Sequence, residues 1–189
     1  MKMFRPGILI ELCWSILGLY WLYSSIGTKK VAVNENTGLR VFRLAMLVLV
    51  VVLFEDWLRI PFLDGRFLPR LSAIPWAGAA LTATGVALAI WARSSLGRNW
   101  SDKVVLKVDH ELIRTGPYRY LRHPIYTGVL VAVAGTALMI AEWRGALAFV
   151  ALATNYFVKA RREEVILAGK FGGAFEKHKR HTGFFLPGL

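Results

Sequence analysis

Five apolar stretches, separated by polar and mostly basic connections, set the pattern of this chain. Residues 7–26 (GILIELCWSILGLYWLYSSI) form the first, broken near its start by Glu11. As a helix this run covers about 30 Å, the thickness of a bilayer's hydrocarbon core. Lys2 and Arg5 precede it as they would a signal peptide, but its length, its aromatic residues, Glu11 and the lack of a small-x-small cleavage site argue for a retained span. The second span is expected over residues 44–62, where LAMLVLVVVLF runs into Glu55 and Asp56. Glu55 and Arg59 stand in the favourable order for a pair on a helix surface. An intramembrane acid is a functional candidate, whereas one near a helix end is also satisfied by pairing or by water.

The third span is expected over residues 71–96 and the fourth over 124–140. Gly78, Thr82, Gly85 and Ala89 line one face of the third with small residues, and Gly128, Ala132 and Gly135 do the same for the fourth. Such faces let helix backbones approach closely. Glu142-Trp143-Arg144-Gly145 turns the chain tightly into a fifth span, residues 146–160, so the last two spans are expected as an antiparallel hairpin. The fold class is thus an all-α integral membrane protein with about five transmembrane helices. It is expected to form a single domain over residues 1–189.

Composition agrees with that pattern. The 189 residues are 56% hydrophobic, with a mean hydropathy of +0.46 and a net charge of +12, which suits a membrane protein with cationic loops. The basic residues sit between apolar runs and form no continuous aromatic-lined groove, which argues against nucleic acid as a partner. Cys13 is the sole cysteine, and His110, His123, His178 and His181 show no HExxH spacing, so neither a disulfide framework nor a metal site is expected. With five spans, 18 of the 24 Lys and Arg fall on one side and 6 on the other. That bias places the central loop and the C-terminal segment together in the cytoplasm and the N-terminus outside, against the local charge of Lys2 and Arg5.

Candidate chemistry concentrates in residues 116–128, GPYRYLRHPIYTG. Gly116-Pro117 is a turn signal, and Pro124 suits the first turn of a helix, where its missing N–H is not needed. His123 and Tyr126 then point to the same side, and the helix start favours an anionic group nearby. An interfacial belt of Tyr and Arg anchoring a helix end is the plainer alternative. Beyond the fifth span, YFVKARREE places Tyr156, Lys159 and Glu163 on one helix face, which presents a cation and an acid together or forms an ordinary surface pair.

The combination of LGRNWS, HELIRTGPYRYLRHPIYTG, an EE pair, FGGAFEKH and a closing FLP resembles the isoprenylcysteine carboxyl methyltransferase family and its relatives among the phospholipid methyltransferases. The resemblance covers about residues 90–187, the expected cofactor-binding core, while residues 1–66 match only in being apolar. It implies an S-adenosylmethionine site on the cytoplasmic face. The matching cofactor positions are His110, Glu111, Leu112, Ile113, Tyr118, His123, Pro124, Ile125, Tyr126 and Glu163. It further implies catalytic roles for Lys159, Glu163 and Glu164 and contact of Lys159 and Tyr156 with a lipophilic or lipidated substrate carrying a carboxylate. Lys159 stands where the family usually has an arginine, keeping the charge but losing the bidentate fork. Phe175 and His178 stand where tyrosines are common.

Three other functions compete. A phospholipid amine N-methyltransferase would use the same cofactor, with Glu164 or His123 assisting an unprotonated amine. A membrane sterol-type reductase using NADPH shares a related RHPxY element. A non-catalytic membrane protein with a basic face for anionic lipid accounts for the charge but not for the clustered turn.

Overall fold

The computed structural model describes residues 5–26, 37–55, 60–97 and 112–188. Helices α1 (Pro6–Ser25), α2 (Thr37–Phe54), α3 (Ala73–Leu96), α4 (Pro124–Ile140), α5 (Trp143–Phe171) and α6 (Gly173–Arg180) are joined by irregular segments and one 3-10 turn, Gly116–Arg119. No strand forms among the described residues, which carry only the isolated bridges Arg66–Glu142 and Leu121–Gly183. Two helices, α1 and α3, are long and apolar enough to cross a membrane, and α4 is apolar but shorter.

The small residues of α3 and α4 meet each other. A Cβ placed on Gly78 would lie 2.6 Å from the Gly135 carbonyl, and one on Gly128 would lie 2.6 Å from the Ala89 backbone nitrogen. Gly85 likewise faces the Ala132 nitrogen, and Gly135 faces that of Thr82. Backbone thus packs on backbone, which the absence of a Cβ at these four glycines allows. Within this seam the Thr82 hydroxyl donates to the Ala132 carbonyl at 3.1 Å, and Trp14 Nε1 of α1 donates to Thr136 Oγ1 at 3.1 Å. Helix α1 lays the stripe Ile10, Cys13 and Leu17 against this pair and turns Ile8, Leu12, Ile16 and Leu19 outward. An apolar outer face is what a helix in lipid presents.

The second helix differs from its expected position. It begins at Thr37 and ends at Phe54, so Arg40 and Arg43, expected in a polar connection, are helical. The helix ends with its apolar run at Phe54, and Glu55 follows it outside the helix. Arg59 lies outside the described residues. The Arg144 guanidinium holds this end, donating to the Glu55 carbonyl at 3.0 Å while its Nε pairs with Glu142 Oε2 at 2.6 Å.

Between α4 and α5, Ala141 takes a left-handed conformation with φ of 56°. The segment 60–72 fastens this corner through Phe67 N to the Ala141 carbonyl at 3.0 Å and Arg144 N to the Leu63 carbonyl at 2.9 Å. The 29 residues of α5 extend about 43 Å, longer than a hydrocarbon core of about 30 Å, and its C-terminal half holds the acid pair.

Candidate functional site

The start of α4 is built as its sequence suggests. His123 precedes the helix in a non-helical conformation (φ −127°, ψ 56°), and Pro124, almost completely buried, occupies the first turn. This geometry turns the His123 imidazole toward α5, where it is met by both acids. Nδ1 lies 3.6 Å from Glu163 Oε2, and Nε2 lies 3.5 Å from Glu164 Oε1. Nε2 is buried with no hydrogen-bond partner among the described residues.

Each glutamate has a further anchor. The Tyr126 hydroxyl donates to Glu163 Oε1 at 2.5 Å, and Arg122 Nε donates to Glu164 Oε1 at 2.6 Å. Arg122 also donates from NH1 to the carbonyls of Lys179 (3.2 Å) and Thr182, and its backbone N–H bonds the Gly183 carbonyl at 2.9 Å. One arginine therefore ties Glu164 to the C-terminal segment. That segment folds back over the histidine, with the rings of Phe184 and Phe185 centred 5.0 and 6.1 Å from His123. Thr127 Oγ1 holds it there by donating to the Phe185 carbonyl at 2.9 Å.

On the other side, Tyr126 stacks on His123 (5.5 Å between centroids) and on Tyr156 (4.6 Å), and the Lys159 ammonium sits 5.1 Å from its ring centroid. Lysine over an aromatic ring is a favourable cation–π arrangement. Tyr156, Lys159 and Glu163 do share one face of α5, and Tyr126 is what they surround.

A small pocket, partly open to solvent, lies beside His123, lined by Leu96, Leu112, Ile113, Tyr118, Arg122 and His123, with Leu167, Phe175 and His178 closing it from α5 and α6. Of the sequence-predicted cofactor residues, Leu112, Ile113, Tyr118 and His123 thus share a wall. Pro124, Ile125 and Tyr126 form the helix turn behind it, with Ile125 and Tyr126 packed against Tyr118 and Ala160. Glu163 and Glu164 reach the same histidine. His110 and Glu111 lie outside the described residues. Sequence reasoning did not select Arg122 or Leu167 as site residues. Arg122 stood inside the right motif, but only the fold shows which carboxylate it grips. The two departures noted in the closing motif, Phe175 and His178, prove to face the cavity.

The charges of the cluster support one another. Burial alone would push the His123 imidazole down, but its contacts with Glu163 and Glu164 outweigh burial and leave it raised. Burial likewise works against ionisation of both acids. His123, Lys159 and Tyr126 hold Glu163 below the usual range all the same, and His123 and Arg122 do so for Glu164. Burial first, and the charge of Glu163 second, keep Tyr118 a neutral phenol. His178 is lowered by burial and by the nearby Arg114, Arg122 and His181, so it lines the cavity as a neutral ring.

A pH dependence follows. The raised imidazole contributes stability in full below its ordinary value of 6.5 and loses it as pH rises through the raised value. The lowered carboxyls contribute in full above their ordinary value of 4.5 and lose it as pH falls through theirs. Thermal midpoints of the detergent-solubilised protein are therefore expected to peak between those two ordinary values and to fall on both sides. In Glu164→Gln the alkaline fall should move to lower pH, because one of the two charges that raise His123 is gone.

Apolar helices with a buried ionic cluster at one end define the class: a helical membrane protein with a polar site at the end of its bundle. Comparison with known proteins adds what the chain is similar to. The model of the isoprenylcysteine carboxyl methyltransferase (ICMT) family matches residues 78–169, a stretch that takes in the 3-10 turn, α4 and nearly all of α3 and α5. The protein-S-isoprenylcysteine O-methyltransferase of Dictyostelium discoideum is 24% identical over 151 residues, which cover 78% of this chain and 61% of that protein. Its counterpart in Schizosaccharomyces pombe is 29% identical over 94 residues, 48% of this chain and 40% of that protein. A solved structure of the eukaryotic intramembrane Ras methyltransferase ICMT superposes with a TM-score of 0.52 at 22% identity, covering 84% of this chain and 55% of that one. The chain thus spans less than two thirds of the length of these relatives. It shares the ICMT fold and is similar to the ICMT family over residues 78–169, as the RHPIY motif and the acid pair implied.

Proposed function

We propose that this protein is a membrane methyltransferase that uses S-adenosylmethionine to methylate the carboxylate of an isoprenylcysteine-like or other lipid-linked acceptor. The observation that carries this reading is the joining of two environments through one histidine: a largely apolar cavity on one side of His123 and a lysine-bearing aromatic cluster on the other.

The residues fit the cofactor. Leu96, Leu112, Ile113 and Phe175 offer apolar surface to an adenine ring. The buried Nε2 of His123, which lacks a hydrogen-bond partner among the described residues, and the carboxylates of Glu163 and Glu164 offer polar contacts to hydroxyl and ammonium groups. The start of α4 suits a carboxylate, and His110 and Glu111 complete the assigned set. When bound, S-adenosylmethionine supplies an electrophilic methyl group on a sulfonium.

On the acceptor side, Lys159 holds and orients the carboxylate, with Tyr156 beside it. A carboxylate is ionised at neutral pH, so alignment and exclusion of water are required and a general base is not. Phe184, Phe185 and α6 provide the exclusion. The chain is read with five membrane spans, α4 and α5 forming a hairpin and the site on the cytoplasmic face, and a lipidated acceptor enters sideways from the bilayer. Residues 90–187 are the cofactor-binding core of a single domain, to which residues 1–66 add two spans.

Calorimetry with S-adenosylhomocysteine tests the reading. The detergent-purified protein should bind it at micromolar concentration, and His123→Ala should weaken binding by about 100-fold, the effect of removing a buried group that contacts charged partners. A folded wild type that ignores S-adenosylhomocysteine but oxidises NADPH in the presence of a sterol alkene would replace this function with the reductase.

A further inference from the structure

Arg43 is a buried cation on a helix that the matched region 78–169 does not include. The residue is 8% exposed, at the start of the wholly apolar run from Leu44 to Phe54. A charge placed inside a membrane bundle is costly and marks a site or pathway when it faces the interior.

Its position can be derived from the contacts of α2. The bond from Arg144 to the Glu55 carbonyl puts the end of α2 beside the start of α5, so the two helices run antiparallel. Val50 and Leu53 of α2 share one core cluster with Ala148 and Leu152 of α5. Counting at about 1.5 Å per residue back from Glu55 and forward from Arg144 brings Arg43 level with residues 156–159. The electrostatics agree, because the charge of Arg43 acts on the Tyr126 phenol, the ring over which Lys159 lies. Leu152, Asn155 and Lys159 form one stripe of α5, and Asn155, 1% exposed, has a side-chain oxygen with no donor among the described residues. Two cations and an open acceptor thus come to one level of the bundle.

A lysine binds a carboxylate as a point charge, whereas a guanidinium offers parallel N–H donors that fix its orientation. We propose that Arg43 is the second half of a carboxylate clamp, gripping the acceptor's carboxylate from α2 while Lys159 grips it from α5, so that α2 determines acceptor specificity. The clamp rests on the acceptor reading given above. It divides the work that a single arginine on α5 could do alone, and it places half of that work in a part of the chain outside the family match.

The test is calorimetric binding of N-acetyl-S-farnesylcysteine and of its carboxamide to the full-length protein saturated with S-adenosylhomocysteine. The wild type should prefer the carboxylate by about ten-fold or more, as expected for a charged hydrogen-bonded contact. Arg43→Met should reduce that preference several-fold, leaving what Lys159 supplies, and Arg43→Lys should reduce it less, with S-adenosylhomocysteine affinity unchanged in both. A preference retained in full in Arg43→Met, or S-adenosylhomocysteine affinity lost in step with it, overturns the clamp while leaving the methyltransferase reading in place. A wild type that binds S-adenosylhomocysteine but shows no preference for the carboxylate overturns the clamp together with the acceptor. A wild type that binds no S-adenosylhomocysteine removes the methyltransferase itself. Should Arg43→Met fail to fold, Arg43→Lys decides: loss of the fork alone must reduce the preference.

Discussion

Glu163→Gln is expected to reduce methyl transfer by about 100-fold or more, the scale set by leaving buried charges without their partner. The substitution keeps the shape of the side chain and an oxygen able to accept the 2.5 Å hydrogen bond from Tyr126. What it removes is the charge, on which two cations depend: the imidazole of His123 at 3.6 Å and the ammonium of Lys159, whose attraction helps hold Glu163 ionised. Without it the raised imidazole of His123 must fall. The pH–rate profile of the variant should therefore lose activity at a lower pH on its alkaline side than the wild type does. A purely structural role for Glu163 predicts a lower thermal midpoint with the profile unmoved. S-adenosylhomocysteine calorimetry on the same variant separates loss of cofactor from loss of acceptor, and an unchanged affinity there would show that Glu163 does not hold the cofactor.

The site was legible in the sequence where its residues are local. Pro124 fixed the helix start, the 3.6-residue period placed Tyr156, Lys159 and Glu163 on one face, and the RHPIY and EE motifs named the two strings that meet. The order of the contacts was not legible, because it depends on which turn of α5 faces which turn of α4. That His123 touches both acids, that Arg122 takes Glu164 and that Tyr126 takes Glu163 are long-range facts set by packing. Arg43 shows the same limit from the other side. Hydropathy treats an arginine before an apolar run as a loop residue, yet Arg40 and Arg43 are excellent helix formers, and the helix simply begins earlier. A cation counted toward a polar loop is in fact buried in the bundle. The small-residue faces of α3 and α4 were readable as faces, but their partner was not, since either could have met α1.

That seam gives the other large effect. Gly85→Leu should lower the thermal midpoint sharply, whereas Gly169→Ala should raise it. A Cβ on Gly85 would overlap the Ala132 backbone nitrogen and approach the Gly128 carbonyl within 2.5 Å. These are backbone atoms of a helix and cannot rotate aside as a flexible side chain would, so α3 and α4 must separate along their length. Overpacking a core by even one group costs about 1–3 kcal/mol. A leucine here adds four carbons against rigid backbone, and separation also breaks the bond from Thr82 to the Ala132 carbonyl. The damage extends to the site, because α4 carries Pro124 and Tyr126 at its start, and Ile125, Tyr126 and Tyr118 pack together against Ala92 of α3. Gly169 provides the contrast: it lies in α5 with nothing within 4 Å of an added Cβ. There an alanine gains about 1 kcal/mol of helix propensity and meets no obstacle. Measured side by side in the same detergent, the two variants should move in opposite directions, and a Gly85→Leu protein as stable as the wild type would mean that α3 and α4 do not meet backbone to backbone.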